Sequence, residues 1–580
     1  MRIKHFFGLA VLAAMTASCS SNNELVNGGN GSGENESGAS YASFSINLPT
    51  RSGTRAASDP TFDKGNAKEY DVFNATLLVF KEGTTAGEGN YTLAEKVDLG
   101  SMEPWKASSE TGVTTQAKIT AKLEKVDKNG KFFALVLLNN GSGTDAKVTL
   151  PSEGDKFSDW NVAAKANPDN FTDTKKGFYM ANAPLYNATD KNVTTLVAID
   201  KNKIFPTEAQ ASSGEAAADI YVERGLAKVT LTAATKDKKT VDASSSYAGD
   251  EVTINKWALD VTNKKTFPIH NVDGLSTEYE NIWKNEAAAA PSTQRFVDNS
   301  EAIAKRVYWG TDPNYKETTL SEETTESKNA RIKNFNYVKK GDLTADPKDP
   351  QYCLENTFNL ANMVQGQTTR VAFKGTYTPK SITPDENGTF YKIGKNVALW
   401  NSADLKKHIE AAVTKVVADA SAAGASTTIT LNGSDNDLTT AGNRMLTASN
   451  ITVTKATGDV VTLQPEDVKA INDKLGLSEG YGISTYEKGE SYYIARIKHF
   501  GDALTPWNSG AYGNDNLAYL GRYGMLRNNW YELDVEKVSG PGYPDVPDVK
   551  PSTPDDEDDQ YIKVSVKILD WAKRSQSVDL

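Results

Sequence analysis

The chain has 580 residues, with 64 Lys or Arg and 75 Asp or Glu, which gives a formal net charge of −11. This length is enough for two or three ordinary domains with a sizeable core. The mildly acidic balance argues against a nucleic-acid partner, because phosphate backbones are bound through basic protein surfaces.

The first 18 residues have the pattern of a secretory signal peptide. A basic start precedes an apolar run over residues 6–15, which is too short to span a bilayer as a helix. Small residues then lead to Cys19, in a pattern similar to a bacterial lipobox, with Thr16 where that pattern usually has Leu. We expect cleavage before Cys19 and acylation of that residue. The alternative is an ordinary signal peptide in which Cys19 is incidental.

A polar segment and a strand follow the signal peptide. Residues 19–40 are mostly Ser, Asn, Gly and Glu, a composition typical of a flexible tether. Residues 41–48 alternate apolar and polar side chains, which predicts a strand with one apolar face. A small, polar loop with Arg51 and Arg55 comes next, suited to a trypsin-like protease. The apolar face consists of Ala42, Phe44, Ile46 and Leu48.

Short apolar or alternating segments separated by turn residues dominate the rest of the chain. They predict strands rather than helices. An Asn129-Gly130 turn between two such segments predicts a β-hairpin over residues 119–140. Helical periodicity is clear only in residues 402–420. This pattern predicts an all-β chain of antiparallel sandwiches. The other predicted strands are 75–80, 220–234, 257–272 as two strands, 370–379, 389–394, 491–500, 530–538 and 561–569.

Two changes in composition divide the chain. One lies near residues 205–218, and we set the boundary of two large domains there, as 56–217 and 218–540. The other is the segment 541–560, rich in Pro and Asp, which we expect to be an extended and solvated linker.

A further alternating strand follows that linker, within residues 561–580. Its apolar face is separated from Lys563, Ser565 and Lys567 on the other face. A sandwich domain does not need a strand on a long flexible arm, so we expect another chain to accept it. The apolar residues are Ile562, Val564, Val566 and Ile568.

The sequence carries no recognisable catalytic or cofactor motif. Its four histidines have no zinc-type spacing, and no nucleophile elbow, phosphate loop or dinucleotide fingerprint occurs. We therefore predict a protein that is not an enzyme and that uses no metal and no cofactor. The alternative that the sequence leaves open is a glycosidase, which needs only two carboxylates brought together by the fold.

Several blocks resemble the fimbrillins of the Bacteroidales. They are the lipobox start, "INLPTRSGTRAA" (46–57), "FYMANAPL" (178–185), "YVERGLAKVTL" (221–231), "WALDVTNKKTF" (257–267), "RNNWYELDVEKV" (527–538) and the tail ending in "VDL". Their order along the chain is more specific than any single block, and the likeness is strongest to a minor-fimbrium shaft subunit. The stretches 273–365 and 421–490 match nothing in this pattern, and we expect them to hold insertions.

The resemblance implies two transthyretin-like β-sandwich domains and a specific assembly scheme. The subunit would be exported as an outer membrane lipoprotein and displayed in cell-surface fimbriae that support adhesion. An arginine-specific or trypsin-like protease would cut after Arg55, with Arg51 as the second choice, and so release the first strand within residues 41–55. The C-terminal tail of a neighbouring copy would then fill the groove that the released strand leaves in the N-terminal domain. The implied partners are further copies of the chain, fimbrial anchor and tip subunits, the protease and an unidentified surface ligand.

The alternative is a monomeric surface lipoprotein or a fimbrial tip adhesin that binds glycan or a host ligand. Such a protein is expected to carry a cluster of exposed aromatic side chains. The nearest candidate is "YWGTDPNYKE" (308–317), for which a surface loop is the simpler interpretation.

Overall fold

The structure is a computed structural model. It describes residues 40–49, 69–101, 106–107, 113–172, 177–187, 192–272, 307, 309–315, 322, 324–357, 364–431, 444–478, 481–500, 504–505, 520–556 and 562–570.

The first part of the chain builds one large sheet with short helices around it. Its elements are β1 Ser40–Pro49, β2 Ala75–Lys81, β3 Thr92–Gly100, β4 Lys106–Ala107, β5 Val113–Leu123, β6 Phe132–Leu138, α1 Phe157–Trp160, β7 Ala164–Lys165, α2 Pro168–Phe171, β8 Met180–Asn182, β9 Leu185–Asn187, β10 Asn192–Thr194, β11 Val197–Ala198, α3 Glu208–Ser213 and β12 Ala218–Arg224.

The strand order of this N-terminal sheet is β3-β2-β6-β8-β12-β1-β5-β4, and β11 pairs with β6. Apolar side chains of β1, β2, β5, β6 and β12 meet in one buried cluster. The sheet therefore curves around its own core, which fits the alternation of apolar and polar residues in its strands.

The second part of the chain is also mainly β. Its elements are β13 Ala227–Leu231, β14 Lys239–Thr240, β15 Glu251–Asp260, β16 Thr262–Asn263, β17 Lys265–Thr266, α4 Thr325–Asn334, β18 Phe335–Asn336, β19 Gln351–Cys353, β20 Arg370–Thr378, β21 Phe390–Ile393, β22 Leu399–Trp400, α5 Ser402–Val416, β23 Ser426–Ile429, β24 Ile451–Thr454, α6 Pro465–Lys474, β25 Ile483–Tyr486, β26 Glu490–Arg496, β27 Asn529–Val538 and β28 Ile562–Asp570.

Two four-stranded sheets form the C-terminal domain, in the orders β19-β13-β27-β28 and β14-β15-β20-β26. Side chains from both sheets share one buried cluster, which includes Trp257, Phe373, Tyr531 and Leu533. The two sheets thus pack face to face as a sandwich. The predicted all-β class is confirmed: most regular elements are strands and the helices are few.

A smaller unit with two helices is inserted between β20 and β26. It contains α5, α6 and strands β21–β25, and much of it shares a separate apolar cluster. The predicted helix is confirmed as α5, whose first turn is capped by Asn401: its side-chain oxygen accepts a hydrogen bond of 2.8 Å from the Asp404 amide. Among the described residues, no helix is long and apolar enough to cross a membrane.

The predicted hairpin over residues 119–140 is wrong. The Asn129-Gly130 turn exists, and the Asp127 carboxylate accepts from both of its amides at 2.7 and 2.8 Å. However, β5 pairs with β1 and β4, whereas β6 pairs with β2, β8 and β11. The turn links strands that three others separate in the sheet, because β5 and β6 each find better neighbours elsewhere along the chain.

The predicted strand over residues 220–234 is two strands in different domains. β12 pairs with β1 and β8 in the N-terminal sheet, and β13 pairs with β19 and β27 in the next sheet. They separate at Gly225, where an added Cβ would lie 3.0 Å from the Tyr179 ring. The change between domains therefore falls at residues 225–226, later than the boundary set from composition at 217.

Candidate functional site

β1 lies in the interior of the N-terminal sheet, with a partner along each side. It runs antiparallel to β5 from Ser40↔Leu123 to Pro49↔Val113, and parallel to β12 from Phe44↔Ala218 to Asn47↔Tyr221. Loss of β1 would expose unpaired backbone groups on both neighbours, and such edges readily accept another strand. We call the space that β1 occupies the β1 slot.

The inner side chains of the β1 slot are completely enclosed. The predicted face of Ala42, Phe44, Ile46 and Leu48 has zero exposure and belongs to the N-terminal core. Burial of the three larger side chains is worth roughly 1.5–3 kcal/mol each. The sequence thus identified the core-facing residues of β1 correctly, and an empty slot would leave a deep apolar groove.

The opposite face of β1 is also covered. Ser43 is fully buried under α3, where its hydroxyl donates to the Ala211 carbonyl at 2.6 Å and lies 2.8 Å from the Thr120 hydroxyl. Asn47 is only 5 % exposed. Sequence periodicity did not reveal this cover, because α3 belongs to a segment whose composition indicated a boundary between domains.

The residues around α3 bind the backbone of β1 directly. Tyr41 and Phe205 exchange amide-to-carbonyl hydrogen bonds of 2.7 and 2.8 Å, and the Ala217 amide donates to the Ser43 carbonyl at 2.6 Å. The segment 205–217 therefore forms a strap over the first half of β1.

Three of the predicted site residues lie outside the described residues. They are Cys19, in the expected lipid anchor, and Arg51 and Arg55, in the expected cleavage loop. β1 ends at Pro49, and the described chain resumes at Glu69.

Glu69 is held firmly at the junction of the two domains. Its carboxylate lies 2.7 Å from the Lys228 ammonium, both side chains being almost fully buried, and the Tyr352 hydroxyl donates to it at 2.8 Å. Its carbonyl accepts from the Arg224 guanidinium at 2.7 Å. Burial and the nearby carboxylate raise the pKa of Tyr352, which keeps its hydroxyl protonated as a donor. The chain is therefore anchored immediately after the loop, by contacts that do not involve β1.

Further buried polar groups join the domains. His270 Nδ1 lies 2.9 Å from the Glu223 carboxylate, and the Arg527 guanidinium donates to Glu355 at 3.1 Å. The sequence showed His270 as isolated, because its partners lie far away along the chain. Where the structure describes the chain, no three His, Cys, Asp or Glu side chains form a group that could hold a metal ion. Cys353 is completely buried, and burial raises the pKa of its thiol to about 12.

The tail strand β28 lies at the edge of the C-terminal sheet. It pairs antiparallel with β27 of the same chain, from Asn529↔Asp570 to Val538↔Ile562. Among the strands that the structure describes, β28 is last in the order of its sheet and pairs with β27 along one side. The four residues predicted for the donor strand, Ile562, Val564, Val566 and Ile568, all lie in this strand.

The expectation that residues 541–560 form a solvated linker is wrong for residues 541–556, which pack on the C-terminal domain. Tyr492 and Tyr543 exchange backbone hydrogen bonds of 2.9 and 2.8 Å, and the Tyr486 hydroxyl donates to the Gly542 carbonyl at 3.0 Å. Glycine and proline let this backbone lie close to the tyrosine-rich end of β26. At residue 542 an added Cβ would lie 2.5 Å from the Tyr492 carbonyl oxygen.

Basic side chains hold the acidic end of this segment. The Arg522 guanidinium donates two hydrogen bonds of 2.7 Å to the Asp556 carboxylate, and Lys498 lies 3.8 Å from it. Asp555 is 2 % exposed and accepts from the Thr368 hydroxyl at 2.7 Å. The acidic run is thus matched by distant Arg and Lys residues, and the tail emerges from a fixed point.

The described part of the candidate aromatic platform, residues 309–315, is largely buried. Trp309 is 2 % exposed and Tyr315 is 6 % exposed, and both pack in an apolar cluster with Phe335 and Phe500. These two rings are part of the buried core, so neither exposes a ring face on which a sugar could stack.

The C-terminal part of the chain is similar to a known protein family. The family profile described as major fimbrial subunit protein type IV, fimbrillin, C-terminal, matches residues 484–577, which include β26, β27 and β28. No curated protein sequence matches the chain.

Two solved structures are similar at low overall superposition. One is a fimbrial assembly protein from Parabacteroides distasonis, with 10 % identity and a TM-score of 0.26, covering 63 % of this chain and 96 % of the other. The second is the tip fimbrial protein Mfa3 from Porphyromonas gingivalis with C-terminal truncation, with 11 % identity and a TM-score of 0.27, covering 92 % of this chain and 100 % of the other. Residues 484–577 are thus similar to the C-terminal region of the fimbrillins, a family of fimbrial subunits.

Proposed function

We propose that this protein is a structural shaft subunit of a cell-surface fimbria of the minor-fimbrium type, polymerised by exchange of strands. It is exported as an outer membrane lipoprotein acylated at Cys19 and then cut after Arg55 or Arg51. Its partners are further copies of itself, the anchor and tip subunits, and the processing protease. Its role is structural, with no catalytic step.

The placement of β1 carries this proposal. β1 is an interior strand that continues into the rest of the chain only through residues 50–68, and Glu69 is anchored separately by Lys228 and Tyr352. A cut in the loop would free β1 covalently and leave both domains joined. The vacated slot would then expose an apolar groove and two unpaired strand edges, which favour capture of a replacement strand.

The tail strand suits the role of donor. Within the described part of the chain, β28 pairs with β27 along one of its sides, so its removal leaves β27 paired with β13 and keeps the core of that sheet. We propose that β28 stays on β27 in the monomer and moves to the β1 slot of a neighbour during assembly. Its gain is a second paired side and a closed apolar environment for its valines and isoleucines.

The alternative of a monomeric ligand-binding lipoprotein or tip adhesin receives less support. It requires exposed aromatic side chains or another ligand site, and the aromatic residues Trp309 and Tyr315 of the nearest candidate are buried.

Replacement of both loop arginines tests the proposal. The variant Arg51→Ala/Arg55→Ala should fold and reach the surface, because its own β1 still fills the slot, and it should give no polymer ladder on a gel of unboiled cells. The single variants Arg51→Ala and Arg55→Ala serve as controls, and we expect Arg55→Ala to slow processing more. Fibres of wild-type length from the double variant would exclude processing in this loop as the trigger.

A further inference from the structure

The β1 slot limits which residues of an incoming strand can face outward. Ser43 has zero exposure and Asn47 is 5 % exposed, whereas Tyr41 and Ser45 between and beside them are half-buried. The outward places of the slot therefore alternate: those of Tyr41 and Ser45 are partly open to solvent, and those of Ser43 and Asn47 are closed. This feature distinguishes between alignments that an apolar pattern alone cannot separate.

The place of Ser43 is the most restrictive. Its side chain lies between α3 and β5, with the Ala211 carbonyl 2.6 Å away and the Thr120 hydroxyl 2.8 Å away. Ala211 itself is completely buried. A small side chain with a hydroxyl group fits this place and can donate to the Ala211 carbonyl. A lysine there would bury an unpaired charge under the strap.

The outward residues of the tail are Lys563, Ser565 and Lys567. We infer that the tail strand of a neighbouring copy occupies the β1 slot with Ser565 at the place of Ser43. The inference rests on the proposed strand exchange and adds its alignment. Both lysines then fall on the half-buried places of Tyr41 and Ser45, where long side chains can reach water.

The three other alignments are less favourable. With Ser565 at the place of Tyr41, a lysine falls on the closed place of Ser43 in either strand direction. With Ser565 at the place of Ser45, all four apolar residues of the tail face inward, but both lysines fall on the closed places of Ser43 and Asn47. Two buried ammonium groups cost more than the aliphatic side chain that this alignment adds. With Ser565 at the place of Asn47, Tyr561 or Leu569 falls on Ser43, where only a small side chain fits.

The places of Ser565 and of the two lysines are the same for either direction of the incoming strand. The two lysines lie symmetrically about Ser565, so reversal of the strand only exchanges them. Val564 and Val566 occupy the places of Ala42 and Phe44 in either direction, and Ile568 or Ile562 occupies that of Ile46. The fully buried place of Leu48 would receive Asp570 from a strand that runs as β1 does and the uncharged Gln560 from a reversed strand, so we expect the reversed direction, which avoids a buried carboxylate. Tyr561 or Leu569 then takes the place of Asn47, whose own side chain is larger than that of Ser43. A shift by one residue would turn the lysine face into the core and is excluded.

Disulfide trapping in fibres of the full-length chain tests the alignment directly. On β5, the residues opposite Ser43, Ser45 and Asn47 are Thr120, Lys118 and Gln116. Ser565→Cys is combined in turn with Thr120→Cys, Lys118→Cys and Gln116→Cys. Cys353 is buried and Cys19 is absent from the processed chain, so neither competes.

We expect Thr120→Cys to give at least tenfold more cross-linked subunits on a non-reducing gel than either other position. Predominant cross-linking at Lys118→Cys or Gln116→Cys would overturn the alignment. If none of the three positions gives cross-linked subunits, in fibres that still require Val564 and Val566, the alignment is overturned as well. Fibres that form without those valines would instead contradict the proposed strand exchange itself.

A second test of the alignment does not use cysteine chemistry. Ser565→Lys should lower polymer yield at least tenfold, because it introduces a lysine beneath α3, whereas Ser565→Thr should keep the yield within twofold. Equal yields from the two variants would overturn the alignment.

Discussion

The Glu69 carboxylate and the Lys228 ammonium lie 2.7 Å apart in a buried ion pair, with 2 % and 3 % of their side chains exposed. Lys228 also lies over the Trp530 ring, 3.7 Å from its centroid. The pair fixes the chain where it returns from the loop with Arg51 and Arg55. After a cut at these arginines, β1 could dissociate from the subunit, whereas the chain from Glu69 onward would remain bound in the fold.

Removal of one partner of this pair should destabilise the protein strongly. Glu69→Gln would keep a hydrogen-bonding group for Tyr352 but leave Lys228 buried without its counter-charge. We expect the free energy of unfolding to fall by about 3–5 kcal/mol in urea denaturation. The matched control is Glu124→Gln in the exposed Lys122–Glu124 pair, with 53 % and 71 % exposure, which should cost less than about 1 kcal/mol. Similar costs for the two variants would show that Glu69 is no anchor.

The tail strand should matter far more for assembly than for the monomer. Val564→Asp/Val566→Asp would place two charges in the apolar slot of the neighbour, where an unpaired ion costs several kcal/mol. We expect polymer yield on a ladder gel to be lost, and the melting temperature of the processed monomer to fall by a few degrees at most, because β27 keeps β13 as its partner. Lys563→Asp/Lys567→Asp should retain most of the polymer. A monomer that unfolds with the valine pair replaced would make β28 a structural part of its own domain.

Asp312 should make stability depend on pH. Burial raises the pKa of this carboxyl to about 6, although Asn314, Thr357 and Asn263 donate hydrogen bonds to it. The folded state thus binds the proton more tightly than the unfolded state, whose pKa is about 3.9. The stabilisation is complete below about pH 4 and is lost as the pH rises to about 6, by roughly 3 kcal/mol in total.

Comparison with Asp312→Asn isolates this contribution, since the amide does not titrate. The free energy of unfolding of the wild type minus that of the variant should decline between about pH 4 and 6 and stay level above. A difference that is constant across this range would contradict the raised pKa.

Cys19 should be required for export to the surface. Cys19→Ala would remove the thiol that receives the lipid, so the precursor should accumulate before the outer membrane and lose labelling by a fatty-acid analogue. Cys353→Ala is the matched control, because that thiol is buried in the fold. Normal labelling of the Cys19 variant would show an ordinary signal peptide.

Local alternation predicted the individual strands of this fold well. The apolar residues of β1, the strands β2, β20 and β27, and the helix α5 follow from periodicity, because each buries one face and the side-chain spacing records it. Helices α4 and α6 were missed. α4 carries few apolar residues, so its periodicity is faint, and α6 has only ten residues with a more polar composition than α5, so the stripe that it carries is short.

Pairing and packing were harder to predict than the strands. The turn at Asn129-Gly130 has hairpin chemistry, yet the partners of β5 and β6 are chosen by contacts far away along the chain. In the same way, the acidic residues Asp555 and Asp556 were interpreted as part of a solvated linker. The Arg and Lys residues that hold them lie in other segments, so the local sequence showed no sign of these ion pairs. The cover of Ser43 by α3 was invisible for the same reason.

The central claim is that one subunit accepts a strand in its β1 slot while another donates its tail, and mixing two blocked variants tests it most directly. Arg51→Ala/Arg55→Ala can donate but cannot accept, and Val564→Asp/Val566→Asp can accept but cannot donate. With the processing protease present, each variant alone should stay monomeric in size-exclusion chromatography with light scattering, and their mixture should give a one-to-one dimer and nothing longer. If the mixture stays monomeric while each variant is folded, or if either variant polymerises alone, the strand-exchange account is contradicted.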